Sequence, residues 1–175
     1  FNCGKCYSCR RGFVNCCVNN QTMGVQREGA FSEYFTMPVE RLYDGQGIAP
    51  ESLALIEPFC ISYHAAKRAK IQPGERVLVV GGGTIGYLAA AAAKAMGAEV
   101  TLSDIAPDKL AFAEKTGAAA HTILNSSEEA FSEAAAELTG GDRFYVCMEA
   151  GGCPDTFKSC INAPAFLGRG VGIGG

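Results

Sequence analysis

Short apolar runs alternate with longer helix-favouring stretches over most of the chain after residue 57. The run at 76–80 is apolar after its first residue, which is typical of a strand buried on both faces of a parallel sheet. The alanine-rich stretch at 84–96 favours a helix, and Gly97 provides its end. Strands separated by helices of roughly 10 to 15 residues predict parallel strands joined by helical crossovers. The predicted fold class is therefore α/β, with a doubly wound parallel sheet.

The same pattern continues to the end of the chain. We predict further strands at 99–103, 121–124, 144–148 and 169–173, and further helices at 107–115, 127–138 and 155–162. A helix at 59–70 precedes the first apolar strand. The sequence before residue 57 differs, because it favours loops and strands. In the segment 29–38, Phe31 and Phe35 would share one face of a strand, and the aromatic content suits a sheet.

The composition limits the classes of function. Hydrophobic residues make up 48% of the 175 residues and charged residues 19%, as in an ordinary globular chain. The net charge of −3 argues against a nucleic-acid partner, which needs a basic surface. The longest apolar run, 87–93, is far below the roughly 20 residues of a membrane span. We expect no signal peptide, because the first residues are polar and cysteine-rich and lack an apolar segment. Since the chain begins at Phe1 and ends on Gly-Ile-Gly-Gly, we expect a fragment of a larger protein.

A glycine-rich turn follows the first apolar strand. Residues 81–86, Gly-Gly-Gly-Thr-Ile-Gly, match the G-x-G-x-x-G pattern and lie between a predicted strand and a predicted helix. Gly81 would allow the tight turn, Gly83 would let the backbone approach a pyrophosphate, and Gly86 would let helix and strand pack closely. The pyrophosphate would rest on backbone N–H groups at the start of the helix. The alternative is a glycine-rich turn without a ligand.

An acidic residue ends the next predicted strand. Asp104 lies eighteen residues beyond Gly86. A carboxylate there can accept hydrogen bonds from both hydroxyls of an adenosine ribose and would repel a 2′-phosphate, which favours NAD over NADP. The next residue is Ile105 rather than the arginine that accompanies NADP. Without a ligand, Asp104 would be a helix cap. The cofactor-binding residues predicted in this region are Gly81, Gly83, Thr84, Ile85, Gly86 and Asp104.

Four of the nine cysteines form a cluster near the start of the chain. Cys3, Cys6, Cys9 and Cys17 have the spacing C-x2-C-x2-C-x7-C, and four thiolates in one loop suit a tetrahedral, structural Zn²⁺. Disulfides fit a secreted domain, which nothing in the sequence indicates. A ferredoxin-type iron–sulfur cluster requires a shorter last gap followed by proline. Free thiols are the remaining alternative, and Cys16 competes with Cys17 as the fourth ligand.

The combination of these features resembles the zinc-dependent medium-chain dehydrogenase/reductase family over essentially the whole chain. The matching segments are Cys-Gly-Lys-Cys-Tyr-Ser-Cys (3–9), Gly-Ala-Phe-Ser-Glu-Tyr (29–34), Ile-Glu-Pro (56–58), Tyr-His-Ala (63–65) and Pro-Gly-Glu-Arg-Val-Leu-Val-Val-Gly-Gly-Gly-Thr-Ile-Gly (73–86). The Glu-Pro pair is similar to the branch of sorbitol, threonine, L-idonate and L-galactonate dehydrogenases. The resemblance implies the end of a mostly β, GroES-like catalytic domain at 1–58, with a zinc lobe at 1–22, and a truncated NAD-binding Rossmann domain at 59–175.

The resemblance also implies roles for particular residues. It selects Cys17 as the fourth ligand of the structural zinc. It implies a second, catalytic zinc held by a cysteine and a His-Glu pair that precede Phe1, with Glu57 as a direct or water-bridged participant. Glu57 has a simpler interpretation, because a carboxylate at the start of a helix interacts favourably with the helix dipole. Lys109 matches a position that contacts the adenosine ribose and is otherwise a solvated lysine. Independently of the resemblance, the segment 149–152 ends the fourth predicted strand at the carboxyl edge of the sheet, where ligands bind, and would line the nicotinamide pocket.

The activity that the resemblance implies is the oxidation of a secondary alcohol of a polyol or sugar acid. Zn²⁺ would polarise the hydroxyl group and NAD would accept a hydride. We expect the chain alone to be inactive, because most of the catalytic ligands lie outside it. We further expect a small-molecule substrate, a cytoplasmic location and a homo-oligomer, either a dimer or a tetramer. The alternatives are a non-catalytic dinucleotide-binding module with a regulatory or assembly role, and a zinc-free reductase of the same superfamily.

Overall fold

A five-stranded sheet organises the structure, which is a computed structural model and describes residues 1–174. Its strands are β1 (Arg76–Val80), β2 (Glu99–Asp104), β3 (His121–Leu124), β4 (Phe144–Glu149) and β5 (Pro164–Gly172). Their order is β3-β2-β1-β4-β5, and every neighbouring pair is parallel. The predicted doubly wound parallel sheet is therefore confirmed.

Helices connect the strands of the sheet. The helices of the described residues are α1 (Tyr7–Arg10), α2 (Pro50–Leu53), α3 (Ile56–Arg68), α4 (Thr84–Ala95), α5 (Pro107–Thr116), α6 (Glu128–Thr139) and α7 (Pro154–Asn162). Ser127 caps α6, because its hydroxyl oxygen accepts a hydrogen bond of 3.1 Å from the backbone N–H of Ala130. Within residues 1–174, no helix combines the length and the apolar character that crossing a bilayer requires.

Alternate residues of β1 enter two separate cores. Val77 and Val79 pack in an alanine-rich cluster with residues of α3, α4 and α5. Leu78 and Val80 lie on the opposite face and pack with Phe131 of α6 and with α7. These four residues of β1 are at most 1% exposed, and burial of each contributes about 1.5–3 kcal/mol. The result is a three-layer arrangement with helices on both faces of the sheet.

The register of the sheet aligns the carboxyl ends of its three central strands. Val80, the last residue of β1, lies opposite Ser103 of β2 and Glu149 of β4. The chain runs outward from β1 to β3 and then crosses back to β4, so the strand order reverses between β1 and β4. In open parallel sheets, ligands bind at the carboxyl edge at such a reversal. The glycine-rich turn, Asp104 and Glu149 therefore meet where a ligand is expected.

The chain divides into two units, Phe1–Gly47 and Ile48–Gly175, and the sheet belongs to the second. The first unit is built from short elements. Besides α1 it contains two turns of 3₁₀ helix, Val14–Cys16 and Val39–Arg41. It carries the four clustered cysteines, whereas the second unit carries the glycine-rich turn.

The strand predicted within 29–38 is wrong. The structure forms no strand in this segment, and the only β pairing among residues 1–47 is an isolated bridge between Met23 and Arg27. A strand requires a neighbour for its backbone N–H and C=O groups. Because this part of the chain supplies no such neighbour, the segment is irregular and Phe31 is fully exposed.

Some element boundaries differ from the prediction. α3 begins at Ile56 rather than at residue 59, so Glu57 and Pro58 lie in its first turn. Proline is tolerated there, because the first N–H groups of a helix have no intrahelical acceptor. β5 begins at Pro164 rather than at residue 169, and its register with β4 is irregular at its start. The short helix α2 has no counterpart among the predicted elements.

Candidate cofactor and metal sites

The turn between β1 and α4 fits closely against neighbouring backbone. Gly81 has a φ of +103°, and a Cβ built on it would lie 2.7 Å from the backbone nitrogen of Gly151. A Cβ built on Gly86 would overlap the carbonyl oxygen of Gly81. A side chain at either position would therefore displace the turn. Both glycines are required by the packing of the chain itself.

The middle glycine of the pattern faces open space instead. Gly83 is the N-cap of α4, and a Cβ built on it would meet nothing within 4 Å. Within the described chain, no side chain caps this helix, and its first turn contains no acidic residue. The N–H groups of Thr84 and Ile85 have no intrahelical acceptor, as in the first turn of any helix. The turn presents free donors and a positive helix end to a space that can take an anion such as a pyrophosphate.

Asp104 lies against this turn at the end of β2. Its Oδ2 accepts a hydrogen bond of 2.6 Å from the backbone N–H of Gly82, and its Oδ1 accepts one of 2.8 Å from that of Ala106. The Nζ of Lys109 lies 3.4 Å from both carboxylate oxygens. The structure thus brings together the two side chains that were predicted to contact the ribose.

The surroundings of Asp104 favour its ionised form. Burial alone would raise the pKa of the carboxyl group. Hydrogen bonds from the backbone N–H groups of Gly82 and Ala106, together with the charge of Lys109, outweigh burial and lower the pKa below its usual value. The ionised carboxylate accepts hydrogen bonds and donates none. It is suited to ribose hydroxyl groups and unsuited to a phosphate.

A cleft of about 700 Å³ lies beside the end of β2, between α6 and α7. Residues that line it include Ile105, Asn125, Ser127, Phe131 and Thr156. Ile105 directly follows Asp104 and is 77% exposed, so it presents an apolar surface next to the carboxylate. The volume of the cleft lies in the range of small-molecule sites.

Two buried polar residues at this edge hold neighbouring backbone in place. Ser62 was not among the predicted site residues, and Glu149 was predicted only as part of the segment 149–152. The Oγ of Ser62, on α3, donates a hydrogen bond of 2.8 Å to the carbonyl oxygen of Ile85 and so ties α3 to the first turn of α4. The carboxylate of Glu149 accepts three hydrogen bonds from the residues that follow it. The sequence offers no periodic signal for Ser62. For Glu149 it offers only a position at the end of an apolar strand.

The four predicted cysteine ligands converge in the first unit. Their sulfur atoms all lie within 4.8 Å of one another. Four sulfurs held about 2.3 Å from a zinc ion in a tetrahedron would be about 3.8 Å apart, so small side-chain movements would close the site. Cys6 is the N-cap of α1 and Cys9 lies within it, which brings their sulfurs to 3.4 Å. Cys17 is buried and belongs to the group, whereas Cys16 is exposed and does not.

Backbone groups hydrogen-bond to the clustered sulfurs. The N–H of Cys3 donates to the sulfur of Cys17 at 3.3 Å. Hydrogen bonds from the backbone N–H groups of Lys5 and Cys6 lower the pKa of the Cys3 thiol to about 6. Burial raises the pKa of the Cys9 thiol to about 11, so a metal ion must displace that proton. A closed set of four sulfurs with N–H donors around it fits a structural zinc ion.

The sequence also matches a known family. A family model described as zinc-binding dehydrogenase matches residues 84–175. The chain belongs to the zinc-binding dehydrogenase family.

Relatives and solved structures extend this match to nearly the whole chain. L-galactonate-5-dehydrogenase of Escherichia coli K12 is 39% identical over 175 residues, which cover 98% of this chain and 50% of that protein. Sorbitol dehydrogenase of Bacillus subtilis is 35% identical over 166 residues, which cover 91% of this chain and 45% of that protein. A candidate zinc-binding dehydrogenase from Sinorhizobium meliloti, solved bound to NADP, has a TM-score of 0.90 at 29% identity and covers 99% of this chain and 52% of that one.

The chain spans about half the length of the curated relatives it matches. The matches confirm the predicted family and fold class. They also confirm zinc and a nicotinamide dinucleotide as the cofactors of this family of dehydrogenases.

Membership of the zinc-binding dehydrogenase family leaves two interpretations of Glu57. The residue is exposed in the first turn of α3, where a carboxylate interacts favourably with the helix dipole. Within residues 1–174, the cysteine cluster is the only group of three or more potential metal-binding side chains, and Glu57 is not part of it. Its participation in a catalytic zinc site stays a prediction.

Proposed function

We propose that this protein is a zinc-dependent dehydrogenase that oxidises a secondary alcohol of a polyol or sugar acid with NAD as the hydride acceptor. The observation that carries the proposal is an ionised Asp104 beside an open, uncapped helix start. The names of two relatives support the substrate class, since galactonate is a sugar acid and sorbitol is a polyol.

The carboxyl edge of the sheet offers a place for each part of the adenosine half of NAD. The pyrophosphate would lie against Gly83 and the first N–H groups of α4. The ribose hydroxyl groups would donate to Asp104, beside Lys109. The adenine would enter the cleft next to the exposed side chain of Ile105. The three places are neighbours, because Asp104 accepts a hydrogen bond from Gly82 of the turn and is followed directly by Ile105.

The charge at the end of β2 favours NAD over NADP. The carboxylate of Asp104 would repel a phosphate on the 2′ position of the same ribose. Lys109 does not reverse this preference, because its ammonium group is already paired with Asp104. The solved relative from Sinorhizobium meliloti binds NADP. The fold alone therefore does not decide between NAD and NADP.

Titration of the 175-residue chain with NADH and with NADPH, followed by nucleotide fluorescence, tests the proposed cofactor. We expect tighter binding of NADH. Asp104→Asn removes the negative charge but keeps the shape. It should weaken NADH binding about tenfold and strengthen NADPH binding, because the repulsion of the 2′-phosphate is removed. Asp108→Asn is the matched control, because Asp108 is exposed on the first turn of α5 and should affect neither cofactor.

Two outcomes of this titration count against the proposal. Equal affinity of the unsubstituted chain for the two cofactors would contradict the preference for NAD. Absence of binding to both would contradict dinucleotide binding itself.

We propose two zinc sites with different roles. Cys3, Cys6, Cys9 and Cys17 would hold a structural zinc ion, because four protein sulfurs leave no position for substrate. Glu57 would take part in a catalytic site whose other ligands come from a part of the protein outside this chain. A catalytic zinc ion supplies Lewis-acid polarisation of the alcohol oxygen. The nine free cysteines suit a cytoplasmic location, where thiols remain reduced.

We also propose that the protein is a homo-oligomer. Within residues 1–174, β5 has a neighbouring strand on one side only. Phe166 and Leu167 of this strand are fully exposed. An open strand edge with exposed apolar side chains favours pairing with a further strand. A second copy of the protein is the partner that this edge suits.

A further inference from the structure

We infer that Glu149 is a positioning residue for the dinucleotide turn. It holds the loop 150–152 against Gly81, so that the turn keeps the shape that receives a pyrophosphate. This inference rests on the proposed binding of a dinucleotide. Glu149 ends β4 directly opposite Val80, the residue that precedes the turn.

The side chain of Glu149 is buried and engages the loop that follows it. The residue is 3% exposed, and no lysine, arginine or histidine of the described chain forms an ion pair with it. Its Oε1 instead accepts hydrogen bonds of 2.8 Å from the N–H groups of Gly151 and Gly152, and one of 2.7 Å from the hydroxyl of Thr156. A buried carboxylate is unfavourable unless donors compensate for lost hydration. These three donors can do so only while the loop keeps its present path.

The loop in turn forms a wall of the dinucleotide turn. The N–H of Ala150 donates to the carbonyl oxygen of Val80 at 2.8 Å. A Cβ built on Gly81 would lie 2.8 Å from the carbonyl carbon of Ala150, and one built on Gly86 would lie 3.3 Å from its Cβ. Both outer glycines of the pattern therefore rest on this loop. A shifted loop would let the turn relax and would misalign its free N–H groups.

The backbone of Glu149 serves a separate purpose from its side chain. Its carbonyl oxygen accepts hydrogen bonds of 2.8 Å and 3.1 Å from the N–H groups of Ile173 and Gly174, which anchor the end of β5. These bonds and the pairing with β1 do not depend on the side chain. A substitution of Glu149 should therefore disturb the loop while the sheet is retained.

The test uses two substitutions that keep side-chain shape in the 175-residue chain. Glu149→Gln retains a carbonyl acceptor but removes the charge, and Thr156→Val removes one donor to Glu149. We expect the Kd for NADH to rise about tenfold in Glu149→Gln and about threefold in Thr156→Val, because hydrogen bonds to charged groups are the stronger ones. Thr116→Val is the matched control, since that hydroxyl, on α5, donates to the carbonyl of Phe112 and not to Glu149. It should leave the Kd unchanged.

Two fragments of NAD separate positioning of the turn from a general loss of structure. ADP-ribose contains the pyrophosphate and adenosine does not. Displacement of NADH by each fragment should show weaker binding of ADP-ribose to Glu149→Gln and Thr156→Val, and unchanged binding of adenosine. If the two residues had a merely structural role, or if Thr156 contacted adenine directly, the variants would also bind adenosine more weakly. That result would overturn the inference.

Failure of this inference can be distinguished from failure of the proposed function. If the unsubstituted chain binds NADH and both variants bind it equally well, the role of Glu149 is wrong and dinucleotide binding stands. If the unsubstituted chain binds no NADH, the proposed function fails and this inference fails with it. If thermal melting shows that Glu149→Gln does not fold, Thr156→Val alone decides the outcome.

Discussion

Neighbouring residues in the cysteine lobe have different surroundings. Cys17 follows the 3₁₀ turn Val14–Cys16, is buried, and receives the N–H of Cys3 at its sulfur. Cys16, one residue earlier, is exposed. A step of one residue at the end of a turn changes the direction of the side chain, so only one of the two reaches the other sulfurs. Substitution of Cys16 and of Cys17 therefore removes the same sulfur atom from two adjacent positions, only one of which belongs to the cluster.

The number of bound zinc ions should depend on Cys17 and not on Cys16. We expect about one zinc ion per chain in the unsubstituted protein and in Cys16→Ser, and nearly none in Cys17→Ser, because serine oxygen is a poor replacement in a tetrathiolate site. Elemental analysis after dialysis measures this content. Retention of zinc in Cys17→Ser, or equal loss from both variants, would contradict the assignment.

Residues whose chemistry requires a particular sequence spacing could be proposed as site candidates before the structure was known. Cys3, Cys6, Cys9 and the glycines of the turn fall in this class, since a metal ion or a pyrophosphate requires those residue types at short intervals. Asp104 was predicted from its place at the end of the next strand, and Cys17 was chosen over Cys16 on the family resemblance. Ser62 does not fall in this class, and Glu149 was predicted only as part of the segment 149–152 at the end of a strand. The acceptor of Ser62 lies 23 residues away, on another helix. The importance of Glu149 depends on the conformation of a loop, which spacing alone does not indicate.

At the scale of elements, the strands β1 to β4 were predicted nearly to the residue. Each contains apolar residues that enter one of the two cores, and the four strands supply one another as neighbours in the sheet. The prediction of a strand at 29–38 failed because residues 1–47 supply no neighbouring strand with which this segment could pair. The early start of β5 was also missed. Its first residues include Pro164, which has no backbone N–H to donate, and Leu167, which has a φ of +65°, and neither is typical of a strand interior.

The glycines at the start of α4 have different roles. Gly86 is required by the packing of the chain, whereas Gly83 faces open space that a ligand could occupy. Gly86→Ala should lower the free energy of unfolding by about 3 kcal/mol, because the added methyl group overlaps the carbonyl of Gly81. Gly83→Ala should change it by less than about 1 kcal/mol, since its φ of −67° suits alanine and the space beside it is open. Urea denaturation measures both values.

The same pair of variants reports on the pyrophosphate site. Gly83→Ala should fold normally and yet bind NADH more weakly, because the methyl group enters the space that the pyrophosphate would use. NADH titration of the folded variant checks this. Unchanged affinity would show that the ligand does not approach the turn at Gly83.

At the scale of the whole molecule, the described residues contain the glycine-rich turn with Asp104 and one cluster of potential metal ligands, the four cysteines. They contain no second cluster that could hold a catalytic zinc ion. The second unit can be understood by itself, since the sheet and both cores lie within it. The functional division predicted at 58/59 stays a prediction. The units of the structure reflect packing, and they divide after Gly47.

Binding and turnover should therefore separate in this chain. We expect the 175 residues to bind NADH but to produce none from sorbitol or L-galactonate with NAD, because the chain has no complete catalytic zinc site in its described part. Absorbance of NADH measures turnover. A protein that extends this chain to the length of its relatives is the control and should be active. Turnover by the 175-residue chain alone would contradict the proposal that the remaining catalytic zinc ligands lie outside this chain.

The order of the strands also has a consequence for synthesis of the chain. β1 is made first and lies at the centre, with β2 on one side and β4 on the other. Its second neighbour does not begin until Phe144. At roughly 5–20 residues per second, an edge of the most apolar strand stays unpaired for on the order of several seconds. The reversal of strand order that gathers the cofactor groups at one edge thus creates an interval in which the growing chain is open to misassembly.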